Sequence, residues 1–201
     1  MTTPVPIVQP VPAFCISCID FRYTGTDGPF FNAIGKDFFD CSTAGAALAN
    51  GYYEYCDKSC GRRGCDPENS MMNVLKNSVN DNLRIARTLR PITEIFFLNH
   101  QDCGAIKAFL ACSGHPALGE NNAKEIKIHT KLLRYARKNM LSWAKNESYP
   151  QTEVILGLVD MNGSIAKYNT NRKIWTVTFI GQGMDSRGLW FGMTVGQEYR
   201  P

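Results

Sequence analysis

No run of eighteen consecutive apolar residues occurs in the 201-residue chain, and a membrane-crossing helix needs about that many. The first dozen residues, MTTPVPIVQPVP, lack a positively charged lead and alternate proline with small apolar residues. They read as an extended arm, neither a signal peptide nor a membrane anchor. Charge of one sign is scarce as well: 22 Lys and Arg stand against 18 Asp and Glu, for a net +4. The basic residues form no long block, which argues against nucleic acid as a partner. These absences point to an intracellular, cytoplasmic protein that binds neither membrane nor nucleic acid.

What is present is sufficient for a core, since 44% of the residues are apolar and the length fits one domain. Eight cysteines are many for a reducing compartment, so metal ligation, packing as small hydrophobes, or disulfides must account for them. A disulfide scaffold is the weakest of these for a chain this long with no secretory signal. For the same reason the glycosylation-type triplets at Asn146 and Asn162 read as chance matches.

Short apolar runs bounded by polar or turn-forming residues predict buried strands at Ala13 to Cys18, Phe38 to Ser42, Glu94 to Asn99 and Glu153 to Val159. Helical spacing fills the gaps: Ala44 to Tyr55, then Ser70 to Arg90 with Ser70 as N-cap and Pro91 as stop, then Asn122 to Ala144 with Ile126, Leu133, Ala136, Met140 and Trp143 on one face. Alternation of strand and helix predicts an α/β fold with a mostly parallel sheet. Asn162-Gly163 between LGLVDM and SIAKYN predicts a tight hairpin, and KIWTVTFI and GLWFGMTV read as further strands of an antiparallel extension.

Two patches fall at predicted strand ends, where ligands of open α/β sheets collect. They are Cys18-Ile19-Asp20-Phe21-Arg22 and His100-Gln101-Asp102-Cys103-Gly104. In an extended first patch Cys18, Asp20 and Arg22 share a side, so Arg22 can hold Asp20 in a bidentate pair. Cys103 falls in the first turn of a helix through Ala105, Ile106 and Phe109, where the positive helix end favours its thiolate. Two thiolates and an imidazole make a zinc set, one Zn2+ per chain, with the fourth tetrahedral position open.

Together the two motifs resemble those of the β-class carbonic anhydrases, whose members carry Cys-x-Asp-x-Arg after the first strand and His-x-x-Cys-Gly after a later one. The resemblance extends to Ala44-Gly45-Ala46 and to EVILGLVDMNGSIAKY, covering roughly Ala13 to Tyr168. His-x-Asp-Cys-Gly is similar to the branch that includes carbon disulfide and carbonyl sulfide hydrolases, and CIDFR with TAGAAL resembles uncharacterised members from bacteria and giant viruses. The family's fold would give a four-stranded parallel sheet with an added antiparallel strand, assembled as a homodimer or larger homo-oligomer. The domain layout would be an arm over 1–12, a zinc domain over 13–168 and a C-terminal strand extension of the same domain over 169–201. The implied reaction is that of a hydro-lyase in which zinc hydroxide attacks carbon dioxide to give bicarbonate. Cys18, His100 and Cys103 would hold the metal, Asp20 would orient the nucleophile and Arg22 would orient Asp20. Hydrolysis of carbon disulfide, carbonyl sulfide or another small electrophile is an alternative, and a fold retained as a structural or assembly component is a third. Ser42-Thr43 stands where many relatives have Arg-Asn, which changes the expected pocket.

The remaining candidates have plainer readings. Cys15 and Cys18, three apart on a strand, point to opposite faces, so Cys15 reads as core and not as half of a redox pair. Cys56, Cys60 and Cys65 could join Cys41 on a second metal or form a disulfide, but without paired Cys-x-x-Cys knuckles they read as loop thiols. His115 and His129 read as surface histidines, and Phe30 and Phe31 as core.

Overall fold

A computed structural model describes residues 13–20, 38–60, 71–112, 122–149, 151–181, 187–190 and 192–201, without the side chains of 56–60 and 112. The arm over 1–12, Ser70, Arg22, Phe30, Phe31, Cys65 and His115 lie outside the described residues. Among the described residues are seven strands and four helices: β1 (Ala13–Ser17), β2 (Phe38–Ser42), α1 (Leu48–Cys60), α2 (Met71–Leu89), β3 (Glu94–His100), α3 (Gly104–Cys112), α4 (Asn122–Asn146), β4 (Glu153–Val159), β5 (Ile165–Asn169), β6 (Ile174–Phe179) and β7 (Glu198–Tyr199).

The strands form one mixed sheet in the order β2-β1-β3-β4-β5-β6-β7. Pairing is parallel from β2 through β4 and antiparallel from β4 to β7. The α/β class and the parallel core therefore match the sequence reading. β1 is buried along its whole length and β3 from its second residue onward, which is why both are continuous apolar runs and not alternating ones.

Alternation along the strands divides the core. Phe14, Ile16, Ile95 and Phe97 meet Val79 and Leu83 of α2 and Ile126, Leu133, Ala136 and Met140 of α4. Cys15 instead joins Phe96 and Leu98 in a separate cluster, as expected for a packing cysteine. Each fully buried side chain of this size stabilises the fold by about 1.5–3 kcal/mol. The first turns of α4 are sandwiched a second time, since Ile128 and Leu132 pack with Leu48 and Tyr52 of α1 and with Ile106 and Leu110 of α3. Gly51 permits that contact, because a Cβ there would sit 2.3 Å from the Leu132 carbonyl oxygen.

Two expected boundaries differ. α1 begins at Leu48, not Ala44, because Gly45 (φ 72°) and Ala46 (φ 45°) adopt the left-handed conformation, which a helix cannot contain. The segment GLWFGMTV, read as a strand, is not one among its described residues; Arg187–Trp190 and 192–197 form turns, and only Glu198–Tyr199 pairs with β6. Its polar backbone groups go to side chains: Leu189 N–H donates to Gln101 Oε1 (3.1 Å) and Trp190 N–H to Asp160 Oδ2 (3.2 Å). The Trp190 ring then docks on Trp175, their centroids 6.0 Å apart.

The hairpin at Asn162-Gly163 stands where expected. Asp160 Oδ1 accepts the N–H groups of Asn162 and Ser164, and Gly163 supplies the left-handed residue (φ 78°). Cys56 and Cys60 belong to the last turns of α1 and not to a loop. No described helix is long and apolar enough to cross a membrane.

Candidate metal centre

The topology brings the two patches together. From β1 the chain passes to β2 on one side and later to β3 on the other, making the β1/β3 boundary a switch point at which the following loops diverge and leave a crevice. Ser17 pairs with Leu98, so Cys18, one residue past β1, is level with Asn99 and adjacent to His100, the last residue of β3.

The Cys18 and Cys103 sulfurs are 3.7 Å apart, and the ligand atoms of Cys18, His100 and Cys103 all lie within 4.8 Å of one another. All three residues are buried, at 5%, 1% and 1% exposure. Two Zn–S bonds of about 2.3 Å at a tetrahedral angle would hold the sulfurs about 3.8 Å apart, so the observed spacing fits without rearrangement. His100 Nδ1 lies 2.8 Å from the Gln101 carbonyl oxygen. A carbonyl only accepts, so Nδ1 carries the proton and Nε2 keeps the lone pair that can bind a metal, the usual outer support of a metal-ligating histidine. The donor set and its geometry fit one zinc-like ion.

The loops around the three ligands are shaped to aim donors at sulfur. Gly45, in its left-handed conformation, turns its N–H onto Cys18 Sγ at 3.4 Å. Cys103 is the residue just before α3: its carbonyl accepts from Lys107 N–H, and the Ala105 and Ile106 amides at the helix start favour its thiolate.

The Cys103 contact, then the His100 ring and the Gly45 amide, outweigh burial and lower the Cys18 thiol pKa to about 4. Cys103 moves the other way, raised first by the Cys18 sulfur it faces and then by burial, despite the helix-end amides. The helix-start amides favour the Cys103 thiolate, as expected from sequence, but the facing Cys18 sulfur and burial outweigh them. A cation between the two sulfurs favours both thiolates.

Asp20 stands beside this group without belonging to it: its Oδ2 is 3.6 Å from His100 Nε2. Arg22 lies outside the described residues. Cys41 is buried in the sheet–helix core.

His129 is a correction. Read as a surface histidine, it is fully buried, and its Nε2 lies 3.5 Å from the buried Glu125 Oε1. The same carboxylate oxygen accepts the Asp102 N–H at 2.7 Å. Glu-x-x-x-His, one helical turn apart, was the sequence signal for this pair, but it also fits an ordinary surface pair. Gln101 was missed as well. Its Oε1 accepts from Met161 and Leu189 N–H, and its Nε2 donates to the Arg187 carbonyl and Asn122 Oδ1. This amide ties the metal loop to the β4–β5 turn and the C-terminal loop.

Fold and site together define an α/β protein with a mixed sheet and a buried two-cysteine, one-histidine group able to bind a metal ion at the carboxyl ends of its parallel strands. No family model matches the chain. Over 154 residues it is 29% identical to an "Uncharacterized protein" of Rickettsia bellii (strain RML369-C), covering 75% of this chain and 77% of that one. It is also 29% identical over 154 residues to "Uncharacterized protein RC0076" of Rickettsia conorii (strain ATCC VR-613 / Malish 7), covering 75% and 68%.

Proposed function

We propose that this chain is a zinc-dependent hydro-lyase of the β-carbonic anhydrase type, interconverting carbon dioxide and bicarbonate, and that it assembles as a homodimer. The observation that carries this reading is the compact, buried Cys18–His100–Cys103 group with the Asp20 carboxylate 3.6 Å from the His100 ring. Zinc, when bound there, supplies a Lewis acid that brings the ionisation of water to about pH 7. The chain's own residues do the rest. Cys18 and Cys103 balance the charge of a dication as thiolates, and His100 is held in one ring orientation by the Gln101 carbonyl. Cys18, His100 and Cys103 would hold the ion, with Asp20 beside them. A carboxylate accepts hydrogen bonds, so Asp20 would orient the O–H group of a water brought to the site. Arg22, two residues on, is assigned the orientation of Asp20.

Metal analysis of the purified chain should give one zinc per chain, lost in Cys103→Ser. Carbon dioxide hydration should exceed the buffer rate at neutral and alkaline pH. Asp20→Ala should keep zinc and slow hydration about 100-fold, the lower range for a positioned proton-handling group. Zinc without hydration would remove carbon dioxide as the substrate. The His-x-Asp-Cys-Gly run at His100 to Gly104 favours carbon disulfide or carbonyl sulfide as the next choice, read by release of hydrogen sulfide. A silent Asp20→Ala across every activity, with assembly intact, would leave a structural role.

A further inference from the structure

We propose that Asn99, His129 and Glu125 are positioning residues that hold the metal-ligand loop in its binding geometry and set how tightly it takes a divalent zinc-like cation. The proposal rests on the metal-centre reading above. It begins with three polar side chains buried together, Asn99 at 1% exposure, His129 at 0% and Glu125 at 4%.

Their hydrogen-bond order has one solution. Ala47 N–H meets Asn99 Oδ1 at 3.1 Å, and because a backbone N–H only donates, that contact fixes which end of the Asn99 amide is oxygen. Asn99 Nδ2 therefore faces His129 Nδ1, 3.1 Å away. An amide nitrogen only donates, so Nδ1 accepts and the proton of the neutral ring is on Nε2. That nitrogen faces Glu125 Oε1 at 3.5 Å, an electrostatic contact longer than a normal hydrogen bond. Glu125 Oε1 finally accepts the Asp102 N–H at 2.7 Å. Reversing any member would set donor against donor or acceptor against acceptor in a buried place.

The two ends of this chain explain its purpose. Asn99 immediately precedes the ligand His100, and Asp102 immediately precedes the ligand Cys103. Ala47, at the far end, is two residues from Gly45, whose N–H is aimed at the third ligand, Cys18. Asp102 itself is left-handed (φ 60°), a conformation an L-residue adopts reluctantly. The Glu125 oxygen holds its N–H in the orientation that this turn requires. A buried carboxylate is costly, and here it supports the peptide between two metal ligands.

The test uses the full chain with Glu125→Met, and His129→Asn as a second variant. Methionine keeps the length of the side chain and removes the one oxygen that both the Asp102 N–H and His129 Nε2 face. Asparagine keeps an acceptor for Asn99 and withdraws the ring from Glu125. Zinc affinity is read by competition with a chromophoric chelator, and ligand geometry by the visible spectrum of the cobalt-substituted protein. Both variants should bind about 10–100-fold more weakly, the usual effect of losing an outer-shell partner, with a shifted cobalt band. Wild-type affinity and spectrum in folded variants would overturn the positioning role while leaving the metal centre standing. A wild-type chain that takes neither zinc nor cobalt would overturn both. If the variants do not fold, long-range proton–nitrogen NMR of the wild type decides: a His129 proton on Nε2 supports this hydrogen-bond order, and one on Nδ1 refutes it.

Discussion

At the carboxyl ends of β1 and β3 the buried side chains that matter are compact and polar: Cys18, Asn99, His100 and Cys103. Along the antiparallel side they are large rings. Trp175 is fully buried against Tyr168 and Trp190, Trp190 contacts Tyr199, and the indole of Trp175 donates to Thr130 Oγ1 at 2.9 Å. The first region gains little from apolar burial and holds groups whose charge depends on a bound ion. The second is nearly all burial and carries no metal-binding group among the described residues. The candidate metal group and the large buried rings thus lie on different parts of one continuous sheet, and each should be alterable with limited effect on the other.

The strongest challenge to this division is Trp175→Ala. Loss of a fully buried indole should cost about 3–5 kcal/mol. At about 2–4 °C per kcal/mol for a chain of this size, melting should fall by about 6–20 °C. Zinc content of the protein that remains folded should not change, and parallel loss of both would show the two regions to be one unit.

A smaller effect sharpens the other side. Cys18, with its pKa near 4, is already a thiolate at neutral pH, whereas the raised Cys103 must release its proton when metal binds. Lower pH favours that proton, so zinc affinity should fall as pH falls, by about tenfold per unit for the single proton displaced. Chelator competition at pH 6, 7 and 8 reads this slope, and a flat profile would mean that Cys103 releases no proton when the metal binds.

The least effect is expected where the antiparallel side meets solvent. Arg172 makes a two-point pair with Glu198 at 2.6 and 2.9 Å, with both side chains well exposed. Arg172→Ala should cost less than about 1 kcal/mol, and less still in high salt. Chemical denaturation at two ionic strengths measures it.

β1 and β3 were legible because each is an apolar run with abrupt ends, a pattern that burial on two faces imposes. The Cys18–His100–Cys103 group was legible because the spacing within each motif is short and the chemistry of its residues unusual. The start of α1 was not, since Ala44-Gly45-Ala46 looks helical by propensity, yet Gly45 turns its N–H toward a sulfur 27 residues earlier in the chain. His129 was misread for a related reason. A single apolar stripe was traced along α4, but that helix packs against the sheet on one side and α1 and α3 on another, so a polar position between the stripes is also buried. GLWFGMTV failed where side chains of Gln101 and Asp160 compete with strand partners for the backbone, an arrangement no local pattern displays.

Gln101 also imposes an order on the making of the protein. Its amide is completed by Met161, Arg187 and Leu189, residues synthesised 60 to 88 positions after it. A nascent chain can therefore contain Cys18, His100 and Cys103 together and still lack the contacts that close the loop between the last two. Synthesis must pass Leu189 before that amide has its mature partners, so the centre is among the last parts of the molecule to be finished although its ligands are among the first to be made.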